Sequence, residues 1–195
     1  MYSKLLRSPL VPVFAIVGLS VFLIACSNDK PGGVEATPVL SGPPSTTFPM
    51  PPLKPDADIG WLTAEGQRQR LGEYRGKVLV LDFYATWCAP CRQSIPHLVK
   101  WQQELSDKGL QIVGLNVGGA DDRIKVADFA RELKINYPLG FPDKSLTDFF
   151  LSDNQTLPQT FVFGRDGTLV KRLIGFQAST KTELEKAIAS GLEAK

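Results

Sequence analysis

The chain is short of the residues that usually build a metal site or a disulfide scaffold. Its 195 residues include three cysteines and one histidine. Three thiols cannot make the multi-bridge framework of a small secreted scaffold, and a lone histidine is a thin stock of zinc ligands. An excess of one charge is also missing. The net charge is +2. Without residues 1–25, which hold Lys4 and Arg7 and no acid, the chain carries 20 basic and 20 acidic side chains. That balance argues against a dedicated nucleic-acid surface, which needs clustered Lys and Arg. Nor is there an uninterrupted apolar run of the about 20 residues a membrane-spanning helix requires. The nearest candidate, residues 10–25, is broken by Pro12, Gly18 and Ser20.

That run has a different use. Lys4 and Arg7 precede it as a short positive segment, and no acid occurs before Asp29. This is the pattern of a secretory signal peptide over residues 1–25. The run ends in Leu23-Ile24-Ala25-Cys26, which resembles the lipobox of bacterial lipoproteins. The resemblance implies a covalent lipid on Cys26, which would become the new N-terminus. An uncleaved anchor with an incidental Cys26 is the alternative. Each buried CH₂ of a lipid contributes about 0.8 kcal/mol, so several acyl chains hold a protein at a membrane surface. Residues 26–57 are rich in Pro, Gly, Ser and Thr. Ser41-Gly42-Pro43-Pro44 and Phe48-Pro49-Met50-Pro51-Pro52 exclude regular helix and central strand, so the segment reads as an extended tether.

Residues 58–195 read as one α/β domain. Residues 59–62 and 67–71 form a hairpin about Glu65-Gly66. Val78-Leu79-Val80-Leu81 is a nearly continuous apolar run and fits a strand over 77–84 buried on both faces. A helix is expected over 89–107, with Ile95, Leu98, Trp101 and Leu105 on one face, a kink at Pro96 and a stop at Gly109. A buried strand follows at 110–117. Asp121 is a candidate cap for a helix running to Lys134, with Ile124, Ala127 and Leu133 as its apolar residues. A short segment at 137–141 and a helix near 145–151 come next. Residues 160–163 and 168–174 pair as a hairpin around Arg165-Asp166-Gly167. The last helix is expected to start near Thr180, with Glu183 completing a capping box. This order implies a central mixed sheet flanked by helices on both faces.

The chemistry is concentrated at Trp87-Cys88-Ala89-Pro90-Cys91. A C-x-x-C that follows a buried strand and opens a helix is a redox motif. The helix start offers unpaired N–H groups and the positive end of the dipole, and both favour thiolate over thiol at Cys88. Cys91 lies one turn along, deeper and within bridging reach. Pro90 lacks an N–H, which is harmless in a first helical turn. Cys88 is therefore expected to attack a disulfide and Cys91 to resolve the mixed disulfide. Half a zinc site is the competing reading. It needs a second Cys or His pair, and only remote Cys26 and single His97 remain, so no metal is expected.

The segment from Phe83 to Cys91, with Arg75-Gly76-Lys77-Val78 before it, resembles the active-site region of thioredoxin-like proteins of the TlpA/ResA type. Leu157-Pro158-Gln159-Thr160-Phe161-Val162-Phe163 is similar to their second signature, a proline that is cis in that fold. The resemblance covers about residues 58–192. It implies a thioredoxin-like fold with an N-terminal hairpin and an additional helix–strand insertion before the cis-proline. It also implies that Trp87, Ala89, Pro90, Leu157 and Pro158 contact substrate. Asp82 stands where thioredoxin has its buried acid, and burial should push its pKa up. That suits a proton acceptor for Cys91. Departures are present. Ser94 stands where ResA-type proteins often have glutamate, Gly114 where thioredoxin has a lysine near the acid, and Gln159 where threonine is common.

The function expected is extracytoplasmic thiol–disulfide exchange on protein disulfides or thiols, in the reductive direction, on the periplasmic side of a bacterial membrane. The resemblance extends this to cytochrome c maturation, with electrons from a membrane donor of the CcdA/DsbD type. A disulfide-forming oxidase is the runner-up, although strong oxidants such as DsbA carry a histidine between the cysteines and this chain has Ala89-Pro90. A peroxiredoxin pattern would need proline and Ser or Thr where Leu81 and Ala85 stand. A copper chaperone of the Sco kind would need C-x-x-x-C and a distant histidine. His97, alone and without a partner triad, is read as a packing or surface residue.

Overall fold

In the computed structural model, which describes residues 59–194, the apolar run at the centre of the chain becomes the middle of the sheet. Val78–Tyr84 (β3) is buried along its whole length. Leu79, Leu81 and Phe83 project into one core, while Val78 and Val80 project into the other. This is the two-sided burial that a continuous apolar strand requires. The signal-peptide, tether and Cys26 readings fall on residues outside those described.

Among the described residues seven strands form one mixed sheet. They are Gly60–Thr63 (β1), Arg68–Arg70 (β2), β3, Leu110–Asn116 (β4), Leu139–Pro142 (β5), Gln159–Phe163 (β6) and Leu169–Ile174 (β7), in the order β2-β1-β5-β4-β3-β6-β7. β3 runs parallel to β4 and antiparallel to β6. In that register Asp82 lies between Gly114 on one side and Thr160 on the other. Both expected hairpins are present, with Gly66 and Gly167 at positive φ in their turns, where a side chain would be strained.

Helices cover both faces. Ala89–Leu105 (α1) and Ala178–Glu193 (α5) bury Leu98, Trp101, Leu184 and Ile188 against Val80, Ile112 and Val162. On the other face Lys144–Leu151 (α4) places Leu146, Phe150 and Leu151 against Leu81, Phe83, Phe161 and Phe163. Phe150 meets Phe161 edge-on at 4.7 Å between ring centroids, a favourable aromatic geometry. β5 and α4 are the expected insertion between β4 and the proline that precedes β6. Among the described residues no helix is long and apolar enough to cross a membrane.

Two helix readings are corrected. The helix expected from Asp121 to Lys134 is two pieces, Ala120–Arg123 (α2) and Val126–Glu132 (α3), and Gly119, at φ 91°, holds the N-cap position. The inward positions are Asp122, Val126 and Phe129, so Ile124 is 80% exposed and Ala127 is exposed as well. An acid takes the inward place in the first turn, which rotates the apolar residues away from the face that hydropathy alone assigns them. The capping box at Thr180 is also absent. α5 already begins at Ala178, because Gln177 is the last extended residue and occupies the N-cap. Thr180 is buried within the first turn, and Glu183 pairs with Lys171 on β7 at 3.0 Å.

Candidate redox site

β3 ends at Tyr84, and Ala85-Thr86-Trp87-Cys88 turns the chain into α1. The turn is closed by Cys88 N–H donating to the Ala85 carbonyl at 3.2 Å. Cys88 is the N-cap of α1, and its sulfur accepts the Cys91 N–H at 3.2 Å. A helix needs such acceptors because its first N–H groups have no partners within the helix. Here a sulfur fills the role that Ser or Asp usually takes. Cys88 and Cys91 are joined by a disulfide with their Cα atoms 5.2 Å apart. Cys91 is fully buried, whereas Cys88 keeps 5% of its surface. An incoming sulfur therefore meets Cys88 first. In the reduced state the same amide and the helix dipole stabilise a Cys88 thiolate.

Asp82 is fully buried on the sheet face that carries Val80 and Tyr84, the face covered by Cys91, Ile95 and Leu98 of α1. Its Oδ1 accepts the Thr160 hydroxyl at 2.9 Å, while Oδ2 has no partner among the described residues. Desolvation pushes its pKa up to about 7, and the Thr160 bond only partly opposes that. Across the register, Gly114 supplies no counter-charge. A Cβ there would lie 2.6 Å from Leu139 Cδ2 and 3.3 Å from the rings of Tyr84 and Tyr137. Both tyrosine hydroxyls are buried and pushed above their ordinary pKa, first by burial and then by the charge of Asp82.

The other side chains singled out in the sequence collect around the disulfide. Trp87 is 67% exposed and Ala89 is exposed, while Pro90 is partly buried in the first turn of α1. The Leu157–Pro158 peptide bond is cis. Leu157 packs against the cluster that contains Cys88 and Cys91, and Pro158 is buried beside it. Trp87, Val117, Asp148, Leu151 and Leu157 are among the residues lining a recess of about 350 Å³. His97 stands apart from this chemistry, its ring 5.5 Å from Phe176 and 6.1 Å from Trp101. Among the described residues no group of three or more His, Cys, Asp and Glu side chains could hold a metal ion.

Sequence reasoning missed two polar networks. In one, Asp122 accepts Thr86 N–H at 2.9 Å, the Thr86 hydroxyl, and Asn116 Nδ2 at 2.7 Å. Burial opposes its ionisation, but these bonds outweigh burial and hold its carboxyl below the usual range. The available signal was the spacing Asp122, Val126, Phe129, one helical face with an acid at its head. The second network explains Gln159. This fully buried amide donates to the Asn154 carbonyl at 2.6 Å and accepts from Arg172 Nε at 3.1 Å and Arg172 Nη2 at 2.8 Å. Arg172 in turn grips Asp153 with two bonds of 2.7 and 2.9 Å. The loop leading into Pro158 is thereby tied to β6 and β7. Arg172→Met is expected to strand the buried Gln159 oxygen and to cost about 1–3 kcal/mol, read as a lower urea midpoint at unchanged m-value.

Comparison with known proteins agrees with this geometry. Residues 49–172 match the AhpC/TSA family. The chain is 32% identical over 111 residues to thiol-disulfide oxidoreductase ResA of Bacillus subtilis, a match covering 56% of this chain and 60% of that protein. It is 30% identical over 132 residues to thioredoxin-like protein YneN of the same organism, covering 67% of this chain and 75% of the relative. Among solved structures it is similar to a thiol:disulfide interchange protein DsbE of Chlorobium tepidum. That match has a TM-score of 0.61 and 28% identity, and it covers 69% of this chain and 93% of the other.

Proposed function

The chain belongs to the AhpC/TSA family and carries a thioredoxin-like thiol–disulfide oxidoreductase domain, and on that premise we propose that the whole protein is an extracytoplasmic disulfide reductase of the ResA type. The observation that carries the reading is Cys88, at the turn that follows a buried strand, capping α1 with its sulfur on the Cys91 amide. The Cys88 thiolate attacks one sulfur of a substrate disulfide, forming a mixed disulfide and expelling the other sulfur, which takes a proton. Cys91 then loses its proton to the Asp82 carboxylate and attacks the Cys88 sulfur. The second substrate thiol leaves, the Cys88–Cys91 disulfide forms, and two electrons have passed to the substrate. Trp87, Ala89, Pro90, Leu157 and Pro158 border the place where that substrate lies.

The dithiol must then be restored. A membrane electron donor of the CcdA/DsbD type and a role in cytochrome c maturation follow from the resemblance to ResA-type proteins. Reduction is favoured over oxidation by Ala89-Pro90 between the cysteines. The test is the Cys88–Cys91 potential, measured by equilibration in glutathione or dithiothreitol buffers. It is expected nearer the about −270 mV of thioredoxin than the about −120 mV of DsbA. A value close to the latter would assign the protein to disulfide formation instead.

The membrane assignment rests on Leu23-Ile24-Ala25-Cys26 at the end of the apolar run. With a lipid on Cys26, the Pro-rich residues 26–57 hold the domain away from the bilayer. Cys26→Ser is expected to release the protein into the soluble fraction or to leave its precursor uncleaved. Fractionation and intact mass measure this, and an unchanged mature mass with unchanged membrane retention would refute it.

A further inference from the structure

We propose that Asp122 is a positioning residue for the redox turn: its carboxylate holds Thr86 so that Trp87 and Cys88 are presented in one fixed geometry. The inference rests on Cys88 being the attacking thiol. Thr86 is the second residue of the turn that Cys88 N–H closes on Ala85. Its backbone N–H and its hydroxyl both donate to Asp122, one to each carboxylate oxygen. Asn116, the last residue of β4, donates to Oδ2 as well. Three donors from two strand ends thus converge on one buried side chain. The acid sits against bare backbone, because a Cβ on Gly118 would come within 2.1 Å of its Oδ2.

The Oδ2 position faces two N–H donors and so takes only an oxygen, while Oδ1 faces a hydroxyl. A carboxylate has two oxygens and no proton to offer, whereas an amide has one oxygen and an N–H₂. An asparagine at position 122 can keep its oxygen on the Thr86 N–H and the Asn116 amide and turn its N–H₂ to the Thr86 hydroxyl, which then accepts, but it gives up the charge that strengthens all three bonds. With those bonds weakened, the turn loosens between β3 and Cys88, the N-cap of α1. The Cys91 N–H to Cys88 Sγ contact is set by that same N-cap residue. Looser presentation therefore weakens the stabilisation of a Cys88 thiolate. Removing the negative charge of Asp122 would by itself favour the thiolate, so the two explanations predict opposite signs.

The experiment follows alkylation of Cys88 by iodoacetamide in the reduced full-length chain at neutral pH, read by mass spectrometry on the peptide that carries it. Asp122→Asn and Thr86→Val are expected to slow the reaction by about tenfold, the size of effect that loss of one charge-assisted hydrogen bond produces. Thr86→Ser, which keeps the hydroxyl, is expected to stay within about twofold of wild type. Equal rates in all four proteins, or faster labelling in Asp122→Asn, overturn the proposal. If Asp122→Asn does not fold, the Thr86 pair decides: slowing in valine alone supports the clamp, and equal rates reject it. Turnover of a protein disulfide by Cys88→Ser is measured alongside. Activity surviving there would refute the role of Cys88, a result separable from the labelling rates.

Discussion

Cys91→Ser is expected to stall the protein as a covalent adduct with its substrate, and turnover should fall by roughly a thousandfold or more. The reason is the unequal burial of the two sulfurs. Cys88 has a surface edge and Cys91 has none, so an external disulfide can be opened only by Cys88, and only Cys91 stands ready to release it. With Cys91 gone, the mixed disulfide persists and migrates as a heavier band on a non-reducing gel. Cys88→Ser should give no adduct, because the remaining thiol cannot be reached. Limited alkylation of the reduced wild type provides an independent check, with Cys88 labelled first. Preferential labelling of Cys91 would invert the two roles.

Asp82→Asn should raise stability at pH 8 while slowing resolution. The carboxyl of Asp82 is pushed up to about 7 from 3.8 by burial. Between those values the folded state retains a proton that the unfolded chain has lost, so wild-type stability falls as pH rises and the full cost is present above about pH 7. The size is on the order of 4 kcal/mol. Replacement by asparagine removes that dependence. The variant should therefore gain most at pH 8 and little at pH 4, measured as urea midpoints at both values. The kinetic consequence runs the other way. Without a carboxylate to take the Cys91 proton, release of the mixed disulfide near neutral pH should slow by about a hundredfold. Single-turnover traces from pH 6 to 8 that match wild type would leave Asp82 with a structural role only.

The parts of this molecule that could be read in advance are those whose signal is local. β3 declares itself by consecutive apolar residues, both hairpins by glycine at the turn, and the redox centre by two cysteines at a strand-to-helix junction. The parts that could not be read depend on a partner distant in sequence. Asp122 faces inward because Thr86 and Asn116 wait there. Hydropathy cannot register this, and so it assigned Ile124 to the core. Gln159 stands out in the sequence only as a departure from threonine, since its explanation lies in Arg172 on the neighbouring strand. Thr180 and Glu183 had the spacing of a capping box, but β7 offered Lys171 to the glutamate, and Gln177 had already set where the helix begins.

Gly114 limits which substitutions are open to this site. A lysine opposite Asp82 would neutralise the buried acid, yet any side chain at 114 first meets Leu139 and then the rings of Tyr84 and Tyr137. A basic residue there therefore needs the end of the half-buried Leu139 side chain to swing aside and the two rings to give by a few tenths of an ångström. The acid and the glycine beside it are in that sense coupled: Thr160 acts on Asp82 with no rearrangement, whereas a counter-ion at 114 must first displace Leu139.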